Sequence, residues 1–367
     1  MNHFIEKLRK LYCGIDIHSR RSYLYVLNEK GECIKSGEID TTEQSFRAFF
    51  EELIDGVTDI FVAIEIGSLT FRYCDVLRDM GISVHVVNTL KNAYIAKSMK
   101  KTDKEDARRL AIQLWKDILP EPVHIPDPSE HQLRTLVSHR ANLVKSQTRL
   151  INRVRYRLRE YEIRLQKQSL KRISKWEVIL ESISPSDEPL LHLEVSQMME
   201  QFRTLRSQIR ETEAQMLNLI HQDPEFNIMY TLLLTVPGIG MVTITAFLAL
   251  VGHQIERFKS VRKLASYLGQ CPRVRESGGK TLGNSGITKQ GNSRIRGYFT
   301  QVALAVLRSK KENVIPLQLW YENIRRRKGW KVARVALSRK IAAISYGVLK
   351  HRQPYDPSLV TLEEKGA

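Results

Sequence analysis

Four carboxylates stand where an acid is either costly or well placed for chemistry. Asp16 lies in the apolar run YCGIDIHS between Ile15 and Ile17, and Glu65 closes DIFVAIEIGS between Ile64 and Ile66. An acid inside an apolar strand is unfavourable unless it is paired or bound to a metal. Asp103 and Asp106, three apart in KTDKEDA, share one face of the helix expected there. If the strands carrying Asp16 and Glu65 are neighbours, all four acids converge. Clustered carboxylates repel unless divalent cations neutralise them, and two hard cations on oxygen ligands can clamp both sides of a phosphodiester undergoing displacement. The expected cofactor is Mg2+, two divalent ions per site. Singly, Asp103 would read as a helix N-cap and Glu65 as a satisfied loop carboxylate; together the four favour a metal site.

A second candidate is the segment RVRESGGKTLGNSGITKQGNSRIR (273–296), dense in Gly, Ser, Lys and Arg. GGKT is no phosphate-binding P-loop, because the first glycine of that motif would fall on Val274. The expectation is a flexible cationic loop presenting Ser277, Ser285, Ser293, Lys289, Arg294 and Arg296 before a helix over 292–308. A serine becomes a nucleophile only with an activating base or metal nearby. Upstream, PGIG places Gly238 and Gly240 in a turn between apolar helical segments. Such a turn admits close phosphate approach, as in helix-hairpin-helix DNA binders, although a packing turn uses the same residues.

The elements that must hold these groups follow from the hydrophobic pattern. Strands over 12–19, 22–28 and 31–39, joined by turn signals, predict an antiparallel meander. A helix capped by Thr42, the strand 59–68, a helix over 70–80, the strand 82–88 and helices near 89–98 and 103–118 complete a mixed α/β unit over 1–126. From Leu133 to Leu165 an apolar residue recurs every seven positions (Val137, Val144, Ile151, Leu158, Leu165), flanked by Arg140, Lys145, Arg149, Arg153, Arg155, Arg157, Arg159 and Arg164. Pro185 and Pro189 break the helix, and Leu191, Val195, Met198, Phe202, Leu205, Ile209, Thr212, Met216 and Leu219 then follow an uninterrupted four-then-three spacing. Residues 127–225 are thus expected to form a basic coiled-coil region, paired internally or with another protomer. Residues 226–351 form a mainly helical C-terminal domain, with a flexible tail over 352–367.

Charge points to the partner. Residues 1–126 carry 18 Lys and Arg against 19 Asp and Glu, whereas 127–367 carry 40 against 21, within a 367-residue chain of net charge +18. An even solubilising coat of lysine would not leave the first third neutral, so a polyanion is expected for the rest. In the last helices, Arg325, Arg326, Arg327, Lys328 and Lys331 add a phosphate-contact surface. The four isolated cysteines indicate buried small residues in a reducing compartment. The first residues lack the apolar core of a signal peptide. Phe226–Gly252 is free of charge and long enough to span a bilayer, but Pro237, Gly238 and Gly240 suit a turn between two buried helices better.

GIDIHS, VAIEIGS, KTDKEDA, TVPGIG, ESGGKT and ITKQGNSRIR, in this order, resemble the DEDD transposases of bacterial insertion sequences, the IS-one-ten family, with the related Piv/MooV DNA invertases. The resemblance implies an RNase H-like (RuvC-like) N-terminal domain, a coiled-coil region and a C-terminal transposase domain, with Asp16, Glu65, Asp103 and Asp106 as the DEDD acids. It implies Ser277 as a nucleophile that becomes covalently joined to DNA, with Ser285 a rival. Glu276 stands where the family often has a first serine. It further implies a structured noncoding bridge RNA that guides the enzyme by pairing with donor and target DNA. The implied assembly is a homo-oligomer, dimer to tetramer, in which the acids of one protomer meet the serine of another. A bacterial cytoplasmic, nucleoid-associated location follows.

The mechanism expected is metal-assisted attack by Ser277 and strand exchange, with Lys289 and Arg296 neutralising the phosphate. Gly238, Gly240, Arg294 and the exposed-face arginines Arg149, Arg153 and Arg157 are the remaining expected nucleic-acid contacts. Two other classes stay open. A RuvC-like metal-dependent nuclease of the junction-resolvase type would activate water without a covalent intermediate, and a noncatalytic RNA or DNA binder would keep only the basic helices. A sugar-kinase relative shares the strand pattern but has no use for the C-terminal charge.

Overall fold

A computed structural model describes residues 9–89, 92, 102–165, 169–273, 276–277, 280–281 and 286–360. The chain divides into two compact units, Met1–Pro126 and Asp127–Ala367.

In the first unit, β1 (Arg9–Ile17), β2 (Arg21–Leu27), β3 (Cys33–Asp40), β4 (Thr58–Glu65) and β5 (Ser83–Val87) form one mixed sheet in the order β3-β2-β1-β4-β5. The first three strands pair antiparallel, while β4 runs parallel to β1 with Ile15 opposite Ile64, and β5 parallel to β4. The strands of Asp16 and Glu65 are therefore neighbours that end together. Side chains alternate between sheet faces. Cys13, Ile15, Val62 and Ile64 bury against α1 (Glu43–Glu51) and α2 (Thr70–Asp79), whose Phe46, Phe50, Tyr73 and Leu77 complete that core. Gly14, Asp16, Ala63 and Glu65 belong to the other face, where Ala63 packs with Leu110 of α3 (Asp103–Trp115).

Gly14 sets the approach of α3. A Cβ there would lie 2.0 Å from the Ala107 carbonyl oxygen and 2.4 Å from the Ala111 nitrogen, so only hydrogen fits between strand and helix. The helix expected near 89–98 falls outside the described residues, Thr89 and Asn92 excepted.

In the second unit, α4 (Pro128–Glu160) and α6 (Pro189–Gln222) fold back on each other. Arg140 pairs with Glu213 at 2.8 Å and Arg157 with Glu194 at 2.7 Å, a crossed order that makes the pair antiparallel. The four-then-three stripe forms the seam: Leu191, Val195, Met198, Phe202, Ile209, Thr212 and Met216 are buried. The connection holds a helix that the sequence reading left out, α5 (Ile173–Glu181), whose Trp176 stacks on Phe202 at 5.0 Å and donates its Nε1–H to the Leu170 carbonyl.

The larger core joins the base of this hairpin to α7 (Pro224–Leu234), α8 (Met241–Val251), α9 (Val261–Tyr267), α10 (Ser293–Arg308) and α11 (Ile315–His351). Every residue of α8 from Thr243 to Val251 is buried, which accounts for its lack of charge. Among the described residues no helix is long and apolar enough to cross a membrane.

The segment beyond Arg352, expected to be flexible, is held as far as Val360. The Tyr355 N–H donates to Thr235 Oγ1 at 2.8 Å, the Tyr355 hydroxyl to the Asn313 carbonyl, and Val360 enters the core. Two scattered apolar residues suffice there without any periodic signal. Of the cysteines, Cys13 and Cys74 are buried, but Cys33 is exposed and Cys271 half-buried.

Candidate active site

Asp16 ends β1 on the face that α3 covers, and its side chain is 22% exposed. His18, just past the end of β1, turns its Nε2 to within 3.3 Å of Asp16 Oδ2 and 3.4 Å of Asp103 Oδ1. The three ligating atoms lie within 4.8 Å of one another, a spacing that could hold a metal ion. Burial pushes the Asp16 carboxyl above its ordinary value; the His18 imidazole lowers it, and the charges of Asp103 and Asp106 raise it again. Burial is the largest of these causes, as expected of an acid placed at the end of an apolar strand.

Asp103 is not the helix cap that its position suggests. Thr102 takes that role, its hydroxyl accepting from the Glu105 N–H at 3.2 Å, which leaves the Asp103 carboxylate to face His18. Asp106 sits one helical turn on and accepts from Arg109 at 2.7 Å. Glu65, at the end of β4, accepts from the Asn92 side-chain amide at 3.0 Å, and its carbonyl is held by Thr70 Oγ1 at 2.9 Å. Asn92 is buried, and among the described residues its Oδ1 finds no hydrogen-bond partner. The arrangement draws Asp16, Asp103 and Asp106 together on one face and brings Glu65 to the same end of the adjoining strand. Its hard oxygen donors suit a divalent cation. Sequence reasoning missed His18 and Asn92. The histidine stood two residues from Asp16 in the quoted motif, while nothing local marks the asparagine.

In the second unit the described parts of the serine segment are paired across from one another. The Arg273 N–H donates to the Gly286 carbonyl and the Thr288 N–H to that of Cys271, both at 2.8 Å, and Pro272 bridges to Ile287. Further out, β6 (Glu276–Ser277) pairs antiparallel with β7 (Lys280–Thr281), setting Ser277 opposite Lys280. The Ser277 side chain and all of Ser285 lie outside the described residues. Lys289 is exposed, with a left-handed φ of 58°. Arg294 and Arg296 reach inward instead: Arg296 donates to the Leu268 carbonyl at 3.0 Å and Arg294 to that of Val137 at 3.5 Å.

Gly238, at φ 79°, packs against α10, since a Cβ would meet Val306 Cγ2 at 2.9 Å. Gly240 begins α8 with open space around it. On the long hairpin, Arg149 and Arg153 are exposed, whereas Arg157 is engaged by Glu194 and Glu160. A cross-helix partner cannot be seen in a one-helix periodicity.

A second cluster of ligating side chains, Asp127, Glu130 and His253, also comes together. Here His253 Nδ1 lies 2.7 Å from Asp127 and Nε2 2.8 Å from Asp223, so both ring nitrogens are already taken. Asp127 and Asp223 are the N-caps of α4 and α7, and Ser129 Oγ bridges them. The buried Glu130 accepts the His253 backbone N–H at 2.9 Å. The His253 ring stacks on Phe226 at 4.0 Å. This is a closed ion-pair network.

A family model of DEDD transposases of the IS110 type matches residues 13–163, which include all four acids. A second, of the transposase IS116/IS110/IS902 family, matches residues 230–315, which include Gly238, Gly240 and Ser277. The chain belongs to the IS110 family of DEDD transposases. It is accordingly a transposase, an enzyme of DNA recombination, and the family implies an RNase H-like fold for the mixed five-stranded sheet and the use of a divalent metal.

Relatives of this IS110 member include the transposase for insertion sequence element IS1111A of Coxiella burnetii, 26% identical over 75% of this chain and 74% of that protein. A probable family 20 transposase of Pseudomonas aeruginosa is 27% identical over 85% of this chain and 89% of its own. The pilin gene-inverting protein of Moraxella lacunata is 31% identical over 40% of this chain and 45% of its own length.

Proposed function

We propose that this transposase joins donor to target DNA through a covalent phosphoserine at Ser277, guided by a structured RNA. The observation that carries the reading is the meeting of Asp16, Asp103 and His18 on the α3 face of β1, beside Glu65 on the next strand. Asp16, Glu65, Asp103 and Asp106 are the groups that would hold Mg2+, two ions per site, in a RuvC-like domain. Bound there, the cations supply Lewis-acid neutralisation of the phosphate and lower the pKa of an attacking hydroxyl.

The chain's residues then have defined tasks. Ser277 Oγ loses its proton and forms a bond to phosphorus as the phosphorus–oxygen bond of the DNA strand breaks; the departing DNA hydroxyl takes up a proton. A hydroxyl from the exchanged strand attacks the phosphoserine in reverse and regenerates Ser277. Lys289, exposed in the serine segment, is available to the phosphate. Arg296 braces the backbone around Leu268 and acts through the position of the serine segment. Exposed Arg149 and Arg153 contact nucleic-acid phosphates, with base pairing reading the sequence. We place the enzyme in the bacterial cytoplasm at the nucleoid, as a homo-oligomer of two to four protomers.

The test combines purified protein, RNA from the element's flanking noncoding DNA, matched donor and target DNA, and Mg2+. Products are resolved under denaturing conditions. A protein–DNA adduct in wild type that is lost in Ser277→Ala supports the serine mechanism. Equal free cleavage by both proteins refutes it in favour of water as the attacker.

A further inference from the structure

The helix α11 contains a break that the recombination chemistry above does not use. Gly329 has φ 78° and ψ 164°, far from helical values, in the middle of RRRKGWK. A Cβ there would meet no atom, so the backbone conformation itself, rather than packing, is what calls for glycine. Residues 325–332 are exposed without interruption, while Ile324 and Ala333 on either side are buried. The break thus lifts a short stretch clear of the core between two well-anchored helical segments.

That stretch is chemically unusual. Arg325, Arg326, Arg327, Lys328 and Lys331 flank one aromatic residue in sequence, Trp330, which is 53% exposed. Lys331 Nζ and the Arg334 guanidinium carbon stand 5.7 and 5.2 Å from its ring. Arg325 is drawn back to Glu322 at 2.7 Å and Arg327 toward the Asn323 carbonyl at 3.4 Å. An exposed indole among like charges does not match the core of a protein interface, from which Lys is depleted. It matches a surface that meets an anion bearing flat apolar faces.

We propose that the break at Gly329 is a single-stranded DNA contact, in which the Trp330 indole stacks on an unpaired base while Arg326, Lys328 and Lys331 hold the flanking phosphates. Base faces in a duplex are covered by their neighbours, so stacking requires an unpaired strand. A recombinase supplies one, because a DNA strand must leave its complement before joining another. The proposal rests on DNA recombination by this chain, and on neither the Ser277 nucleophile nor the guide RNA.

The test uses the full chain and fluorescence anisotropy with a labelled mixed-sequence single-stranded DNA, the same strand with abasic sites, the duplex and the matching RNA. Stacking on one aromatic corresponds to about five- to 150-fold in affinity. Trp330→Ala is expected to lose that much on the base-bearing DNA strand and nothing on the abasic strand, and Trp330→Phe to keep most of it. Arg326→Ala/Lys328→Ala should weaken all four probes alike and lower the salt slope by about 1–2.

Unchanged binding of the base-bearing strand by Trp330→Ala overturns the proposal. So does an equal loss on the abasic strand, a loss confined to RNA, or a change in oligomeric mass with DNA binding intact. Thermal melting of each variant, and the Phe variant itself, separate misfolding from lost stacking. Ser277→Ala must bind as wild type, so failure of the serine mechanism leaves this result standing.

Discussion

Replacing His253 tests the network that ties α4, α7 and the end of α8 together. The ring is 23% exposed; Glu130 is 2% exposed, Asp223 19% and Asp127 43%. Burial disfavours the imidazolium, but Asp127 and Asp223 raise its pKa above the ordinary 6.5. Burial likewise opposes charge on the two aspartates, yet backbone N–H groups and His253 bring both below 3.8. A raised histidine contributes stability that is complete below 6.5 and disappears as pH climbs through the folded value. The lowered aspartates contribute above 3.8 and lose it as pH falls through theirs. The network is therefore strongest from about pH 4 to 6.5.

Two hydrogen bonds to charged groups are worth roughly 1.5–3 kcal/mol each. Discounting the half-exposed Asp127 for solvent screening leaves about 2–3 kcal/mol for His253→Ala near pH 5.5. In a unit of this size that lowers Tm by about 5–10 °C. Thermal unfolding followed by circular dichroism at pH 5.5 and pH 8.5 checks it, and the difference between wild type and variant should narrow at the higher pH. An equal penalty at both values, or none at pH 5.5, refutes the imidazolium assignment.

Three further outcomes are expected. Gly14→Ala should cost about 3 kcal/mol or more, because the new methyl collides with the backbone of α3, and calorimetric titration with Mn2+ should show weakened metal binding in whatever protein remains folded. Asp16→Asn should abolish DNA cleavage while leaving Tm unchanged or slightly higher, since it removes a desolvated charge that faces two like charges; a large fall in Tm contradicts this. Arg149→Ala/Arg153→Ala should reduce the salt slope of nucleic-acid binding by about two, with thermal stability within about 0.5 kcal/mol of wild type, as both side chains are exposed.

The two long helices were legible because each buries one face over many residues, which writes a period into the sequence, and the central strands β1 and β4 because burial on both faces makes them short apolar runs. Asp16 and Glu65 were conspicuous as acids inside those apolar runs, and their approach required only that β1 and β4 be neighbours. What the sequence hid depends on partners distant in the chain. Arg157 looks like a free phosphate ligand until Glu194 is seen across the hairpin, and His253 looks idle until two helix caps arrive from residues 127 and 223. Helix α5 is nine residues long, too short for periodicity to declare itself.

The contact at Gly14 has a consequence for how the protein is made. The strand that bears Asp16 pairs at once with β2, but its parallel partner β4 follows Gly14 only some 45 residues later and α3 nearly 90 residues later. Long loops must close before these pieces meet, which makes them late and slow to join. A growing or truncated chain that ends before Asp103 therefore carries β1 without the acids that complete its cluster. The meeting of Asp16 with Asp103 waits until the first unit has closed upon itself.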